Sequence, residues 1–200
     1  MAQKILVRAA AILLALAAAP AAADAERARE LASTLCVACH GVDGNSVSPA
    51  FPKLAGLQPE YLAKQLVEYV DGRRTSDSMT PIVASISRED ITPLALYFAA
   101  QKPSPGQPGD ARLAEQGRRL FVDGNPDAGV PACMGCHLED GSGNPRYPRL
   151  AGQHREYVLE QMRQFREGAR TNDRGRVMRT LASRMTEAEM KAVAEYIAGM

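Results

Sequence analysis

Apolar side chains recur along the chain at helical rather than strand spacing. Leu31 and Leu35 stand four apart before the first pair of cysteines and predict a helix that ends there. Pro59, suited to a first helical position, opens a second helix carrying Tyr61, Leu62, Leu66 and Tyr69 as far as Gly72. Caps announce two more helices. Ser87 with Asp90 is an acidic variant of the capping box, and Thr186 with Glu189 is a full one. Ile86 and Ile91 take the flanking hydrophobic-staple positions in one case, Met185 and Met190 in the other. No segment sustains a period-2 alternation, so the expected fold class is all-α.

The first 23 residues have a different logic. Lys4 and Arg8 precede an apolar run from Ala9 to Ala19, Pro20 breaks it, and Ala21-Ala22-Ala23 offers a cleavage site before Asp24. The run is short of the roughly 20 residues of a spanning helix. Residues 1–23 therefore read as a signal peptide, and the mature chain as an exported, soluble protein.

The rest of the chain states its pattern twice. Residues 101–110, QKPSPGQPGD, form a Pro/Gly linker between residues 24–100 and 111–200. Cys36-Val37-Ala38-Cys39-His40 returns as Cys133-Met134-Gly135-Cys136-His137, and Phe51-Pro52-Lys53-Leu54-Ala55-Gly56 as Tyr147-Pro148-Arg149-Leu150-Ala151-Gly152. Tyr61 and Gln65 match Tyr157 and Gln161, and Gly72-Arg73-Arg74-Thr75 matches Gly168-Ala169-Arg170-Thr171. Ala95 to Ala99 matches Ala194 to Ala198. This is an internal duplication of a small helical domain.

Charge excludes one class of partner and divides the halves. With 24 Lys+Arg against 23 Asp+Glu in 200 residues, the chain lacks the basic excess of a nucleic-acid binder. Residues 24–100 carry 7 basic and 10 acidic side chains, and residues 101–200 carry 15 and 13, so the halves suit different docking faces. The chain has no Trp and only ten Tyr and Phe together, little aromatic bulk for two cores.

All four cysteines lie in the two C-x-x-C pairs, each followed at once by His. A disulfide, half a zinc site or a redox dithiol would need the pair alone. The added His makes C-x-x-C-H, the c-type haem attachment signature. One turn of helix presents two thiols to one haem's vinyl groups, and the imidazole meets the iron. Two covalently bound haem c groups are expected, on Cys36, Cys39 and His40 and on Cys133, Cys136 and His137.

Each iron needs a sixth ligand or an open site. Met79 is the one methionine between the first motif and the linker, eight residues before the Ser87 cap, in an expected loop. In the second half Met134, Met162, Met185, Met190 and Met200 also compete, but Met178 stands eight residues before Thr186 and is preferred. His154 reads as a solvated surface residue, with axial ligation as the alternative. The carbonyls of Pro52 and Pro148 suit the proton on the inner ring nitrogen of each ligand His. The arginines from Arg163 to Arg184 read as a solvated face; Arg73, Arg74 and Arg170 are alternatively contacts for haem propionates.

These paired motifs resemble the dihaem cytochrome c4 family across essentially the whole mature chain. The resemblance implies two tandem cytochrome c-like domains related by a pseudo-twofold axis, with propionates facing across the interface. It implies His40 with Met79 and His137 with Met178 as axial pairs, and an electron carrier rather than an enzyme. The expected location is the periplasm, in a respiratory chain leading towards a terminal oxidase. Partners would be redox proteins, either membrane oxidase or reductase complexes or a flavoprotein dehydrogenase of the flavocytochrome c type, met by a monomer, with peripheral membrane association as an option. A dihaem peroxidase, which needs one open or switchable iron, is the third reading. Gly117 suits the close helix crossing of such domains; the first half shows no clear equivalent.

Overall fold

The computed structural model describes residues 22–200, so the expected leader lies almost entirely outside the described residues. Among the described residues no helix is long and apolar enough to cross a membrane. The described residues contain no strands, only two isolated bridges, Asn125 with Val130 and Asn144 with Tyr147.

In the first half, α1 runs over 22–31, widens into a π-helical turn at Ala32–Cys36 and closes in Val37–His40. It continues through the cysteine motif, where the sequence pattern predicted an end. The wider turn shifts the helical register just before Cys36. Then follow α2 (Pro59–Val70), α3 (Met79–Val83) and α4 (Arg88–Ala99). The second half repeats the plan with α5 (Ala111–Asp123), α6 (Met134–His137), α7 (Arg155–Glu167), α8 (Val177–Ala182) and α9 (Glu187–Gly199). Here the first helix stops at Gly124, whose φ of 75° ends it, and a short bridged loop precedes the motif.

The caps form as the sequence predicted. Ser87 accepts from the Asp90 amide, and Thr186 and Glu189 exchange both bonds of a capping box. Pro59 is the first residue of α2. Ile86, Ile91, Met185 and Met190 are all buried in their half's core.

The tightest crossing is α5 on α9. A Cβ built on Gly117 would lie 1.9 Å from the Ala192 carbonyl oxygen and 2.9 Å from the Tyr196 Cβ. Four residues on, Phe121 is fully buried with its ring centroid 5.4 Å from that of Tyr196. On α1 the counterpart of Gly117 is Ala28, buried four residues before the fully buried Ala32. An alanine in a helix carries no pattern signal, which is why it went unread. Gly117→Val should cost about 1–3 kcal/mol or more by overpacking against backbone that has nowhere to go. Thermal unfolding of the holoprotein checks this.

Residues 102–110 are extended and pinned at both ends. Asn45 donates to the Lys102 carbonyl and accepts from the Ser104 amide. Further along, the Gln107 amide donates to Ala198, and the Asp110 amide donates to Glu195, which also pairs with Arg155 at 2.5 Å.

The halves also bond to each other directly and reciprocally. Gln58 Nε2 donates to the Ser142 carbonyl at 2.6 Å, and His154 Nε2 donates to the Ser46 carbonyl at 2.9 Å. His154 is therefore not free in solvent, and its Nε2 is committed to the other half. Gln58 also accepts from the Arg149 amide at 2.8 Å. A histidine whose proton is committed to a carbonyl on that side offers no matching acceptor there, and Gln153 supplies it. Gln153 accepts from the Lys53 amide and donates to the Lys53 carbonyl, both at 2.9 Å.

Candidate haem-binding sites

The histidines of the C-x-x-C-H motifs, His40 and His137, are the last residues of α1 and α6 and are buried. His40 Nδ1 lies 2.9 Å from the Pro52 carbonyl oxygen, and His137 Nδ1 lies 2.9 Å from that of Pro148. A carbonyl only accepts, so each ring carries its proton on Nδ1, and Nε2 keeps its lone pair for a metal. Burial lowers both imidazole pKa values, against the opposing pull of the proline carbonyl, and holds the rings neutral. Phe51 stands edge-on to the His40 ring, and Tyr147 edge-on to the His137 ring.

The motif helices are finished by the loops that follow. Ser46 Oγ donates to the Cys39 carbonyl at 2.9 Å, and Asn144 Nδ2 to the Cys136 carbonyl at 3.0 Å. After the histidine the chain turns at positive φ in both halves. Gly41 has φ 74° and ψ 155°, and Leu138 holds nearly the same angles, 67° and 159°. In that region a side chain costs on the order of 1–3 kcal/mol, so the turn is imposed by what surrounds it.

All four cysteines are free and partly buried. Burial pushes the Cys36 and Cys133 thiols up to about 11, with the neighbouring Cys39 and Cys136 adding to the effect. A catalytic dithiol needs the reverse, a lowered pKa. Nor do three or more His, Cys, Asp or Glu side chains gather as a metal cluster among the described residues. The redox-dithiol and zinc readings lose their support.

A single cavity of about 1390 Å³ spans both halves. It exceeds the roughly 300–1,000 Å³ of a pocket for one small ligand. Its wall takes corresponding residues from each half: Cys36 and Cys133, His40 and His137, Met79 and Met178. Met79 is the first residue of α3, not part of a loop, and Met178 is the second residue of α8. Met162 and Met185 also line the cavity, but both are buried in the core of the second half; Met190 is fully buried there, and Met200 lies against Gly141.

Charge in the cavity wall points to an anionic occupant. Arg74 and Arg170 are buried, and neither pairs with a carboxylate among the described residues. Arg74 donates to Gln65 in its own half and to Tyr157 and Gln161 in the other. Arg170 donates to Gln161 in its own half and to Tyr61 and Gln65 in the other. The guanidiniums also lie over the rings of Tyr69 and Phe165, 4.7 and 4.5 Å from their centroids. Burial by itself raises the Tyr61 hydroxyl pKa, but Arg170 and Arg74 outweigh it and draw it down. Arg149, also in the cavity wall, has a buried Nε with no partner. Buried cations need counter-charges. An apolar ring system with carboxylate arms, as haem is, meets both demands of this wall. Arg73 differs, being exposed and paired with Asp71 and Glu68.

The arginine-rich stretch is thus only partly a solvated face. Arg163 and Arg166 pair with Glu187, Arg179 clamps the buried Asp173, and Arg170 belongs to the interior. The crosswise network had one signal in the sequence, the return of Tyr61 and Gln65 as Tyr157 and Gln161. In the sequence that return is part of the duplication; in the structure it is also interface.

The cytochrome c family profile matches this chain twice, over residues 25–97 and 114–200. Cytochrome c4 of Thiocapsa roseopersicina is 40% identical over 92% of this chain and 96% of its own length. The chain belongs to the cytochrome c4 family. The crystal structure of reduced recombinant cytochrome c4 from Pseudomonas stutzeri superposes with a TM-score of 0.83 at 41% identity, covering 88% of this chain and 98% of that one. A thiosulfate dehydrogenase electron acceptor of Thiomonas intermedia is 37% identical over 82% of this chain and 77% of its own length. The chain is accordingly an electron-transfer protein of two cytochrome c domains, not an enzyme, and its two C-x-x-C motifs fit two covalent haem c groups.

Proposed function

We propose that this chain relays single electrons in the periplasm, within a respiratory chain that ends at an oxidase. Cys36 and Cys39 would anchor one haem and Cys133 and Cys136 the other, with His40 and Met79, and His137 and Met178, as the axial pairs. The observation that carries the reading is the same in both halves. A neutral imidazole is fixed by a proline carbonyl, and its free nitrogen belongs to a cavity that a methionine also lines.

Bound haem supplies a reversible one-electron Fe(III)/Fe(II) couple; the protein sets its potential and access. The carbonyls of Pro52 and Pro148 orient each imidazole and increase its basicity. Met79 and Met178 would supply each iron's second protein ligand, which would favour a high potential and leave no open site for substrates such as peroxide. Residues 1–23 would direct export and be removed.

A second reading is favoured by the thiosulfate dehydrogenase electron acceptor among the relatives. Under it, the protein accepts electrons from a dehydrogenase of reduced sulfur compounds and passes them on. The flavoprotein partner expected from the sequence is one form of that arrangement.

The ferric spectrum of the mature holoprotein tests the ligand assignment, with the weak far-red methionine–iron band quantified per haem. Two such bands and reduction by two electrons per chain are expected. One band beside a high-spin or bis-His haem would overturn the symmetric assignment. A tight one-to-one complex with a dehydrogenase on purification would favour the second reading over the first.

A further inference from the structure

The two halves differ most where each supplies its methionine. Thr75 corresponds to Thr171, but three residues separate Thr75 from Met79 and six separate Thr171 from Met178. The shorter connection holds Ser76, Asp77 and Ser78; the longer holds Asn172, Asp173, Arg174, Gly175, Arg176 and Val177.

The three additional residues make a projecting basic turn. Gly175 and Arg176 both take left-handed angles, φ 62° and 60°, which throw the chain outward as a 3₁₀ turn at Arg174–Arg176. Its base is fixed: the buried Asp173 carboxylate accepts from the Arg179 amide at 3.0 Å and from Arg179 Nε at 2.6 Å. At its tip, the side chains of Arg174 and Arg176 are exposed and in no ion pair among the described residues. Val177, 39% exposed, stands beside them immediately before Met178. Arg174, Val177 and Met178 all line the cavity. Arg146, exposed and likewise unpaired among the described residues, lines it too, at the place where the first half has Ala50.

We infer that the Arg174–Val177 turn is a docking site for an acidic redox protein, which exchanges electrons with the second haem. The inference rests on the electron-carrier reading above and assigns the partner's chemistry at one end of the molecule. Unpaired guanidiniums on a pinned turn attract carboxylates over a distance, and the apolar Val177 between them and the site gives a dehydrated centre for contact. The first half offers the opposite face to its partner. Asp77 stands exposed in its short connection, and its exposed large apolar residues are Val37, Val42, Val47 and Leu96. Donor and acceptor are thereby sorted by charge.

The test is stopped-flow oxidation of the reduced, mature holoprotein by plastocyanin, an acidic blue-copper protein used as the probe, at low and high salt. Relative to the unaltered protein, R174S/R176S should lower the low-salt second-order rate about tenfold and flatten its salt dependence. R112S/K191S removes the same charge from exposed positions on α5 and α9 and should change the rate less than twofold. V177S should lower it severalfold at any salt. Equal losses in the two double variants would reduce the effect to net charge and overturn the proposal, as would no loss. It would also fall if the arginines governed binding to phosphatidylglycerol vesicles while leaving the plastocyanin rate unchanged. Far-red bands and two-electron titrations of the same samples separate the outcomes. Failure there refutes electron carriage, whereas an unchanged rate with intact spectra refutes only the docking site.

Discussion

Met79→His should lower the reduction potential of the first haem by on the order of 100 mV or more and leave the second nearly unchanged. Axial ligation alone moves haem potentials over a span of about 0.8 V, and a methionine–histidine pair lies towards its upper part. Met79 borders the core of the first half only, and Met178 that of the second, so the effects should stay local. A redox titration with the far-red band as a second readout checks this. The variant should lose one band, and the titration should spread into two well-separated waves. Loss of both bands, or a shift shared by both haems, would mean that Met79 is not the ligand of the first.

Arg74→Gln should instead lower both potentials. The buried guanidinium donates to Gln65 in one half and to Tyr157 and Gln161 in the other. A positive charge favours the ferrous state, so its removal stabilises the ferric state and the potential falls. At an effective dielectric of 20, a charge roughly 8 Å away contributes about 2 kcal/mol, or on the order of 50–100 mV for one electron. Arg170→Gln should do the same by the reciprocal route. Unchanged potentials together with a lower melting temperature would reduce these arginines to interface packing.

Much of this architecture was legible before any coordinates. The capped helices could be read because a capping box and its staple fix residues only a few positions apart. The haem attachment residues could be read because covalent chemistry demands one local spacing. Pro52 and Pro148 were placed correctly by their distance from each histidine, a second constraint set by the ligand. What could not be read depends on the meeting of the halves. His154 looked solvated because its acceptor, the Ser46 carbonyl, is 108 positions away and belongs to the backbone. Arg170 stayed open between a solvated face and a propionate contact because what buries it is the other half. Ala28 gave no sign because a small residue at a helix crossing differs from any other helical alanine only in its neighbour. The first helix was ended too soon for another reason: its π-helical turn breaks the apolar period without breaking the helix.

The crosswise arginines say something about ancestry. Arg74 reaches the second half's Tyr157 and Gln161, and Arg170 reaches the first half's Tyr61 and Gln65, so each half lends what it also borrows. That is the rule of an isologous contact, in which residue i of one copy meets residue j of the other and j meets i. A single-domain forebear with one such arginine, tyrosine and glutamine would already have been self-complementary as a homodimer. Fusing two copies end to end then required only a connecting segment and no new interface. The exchange of Gln58 for His154, with Gln153 recruited to hold Lys53, marks where the copies have since drifted apart.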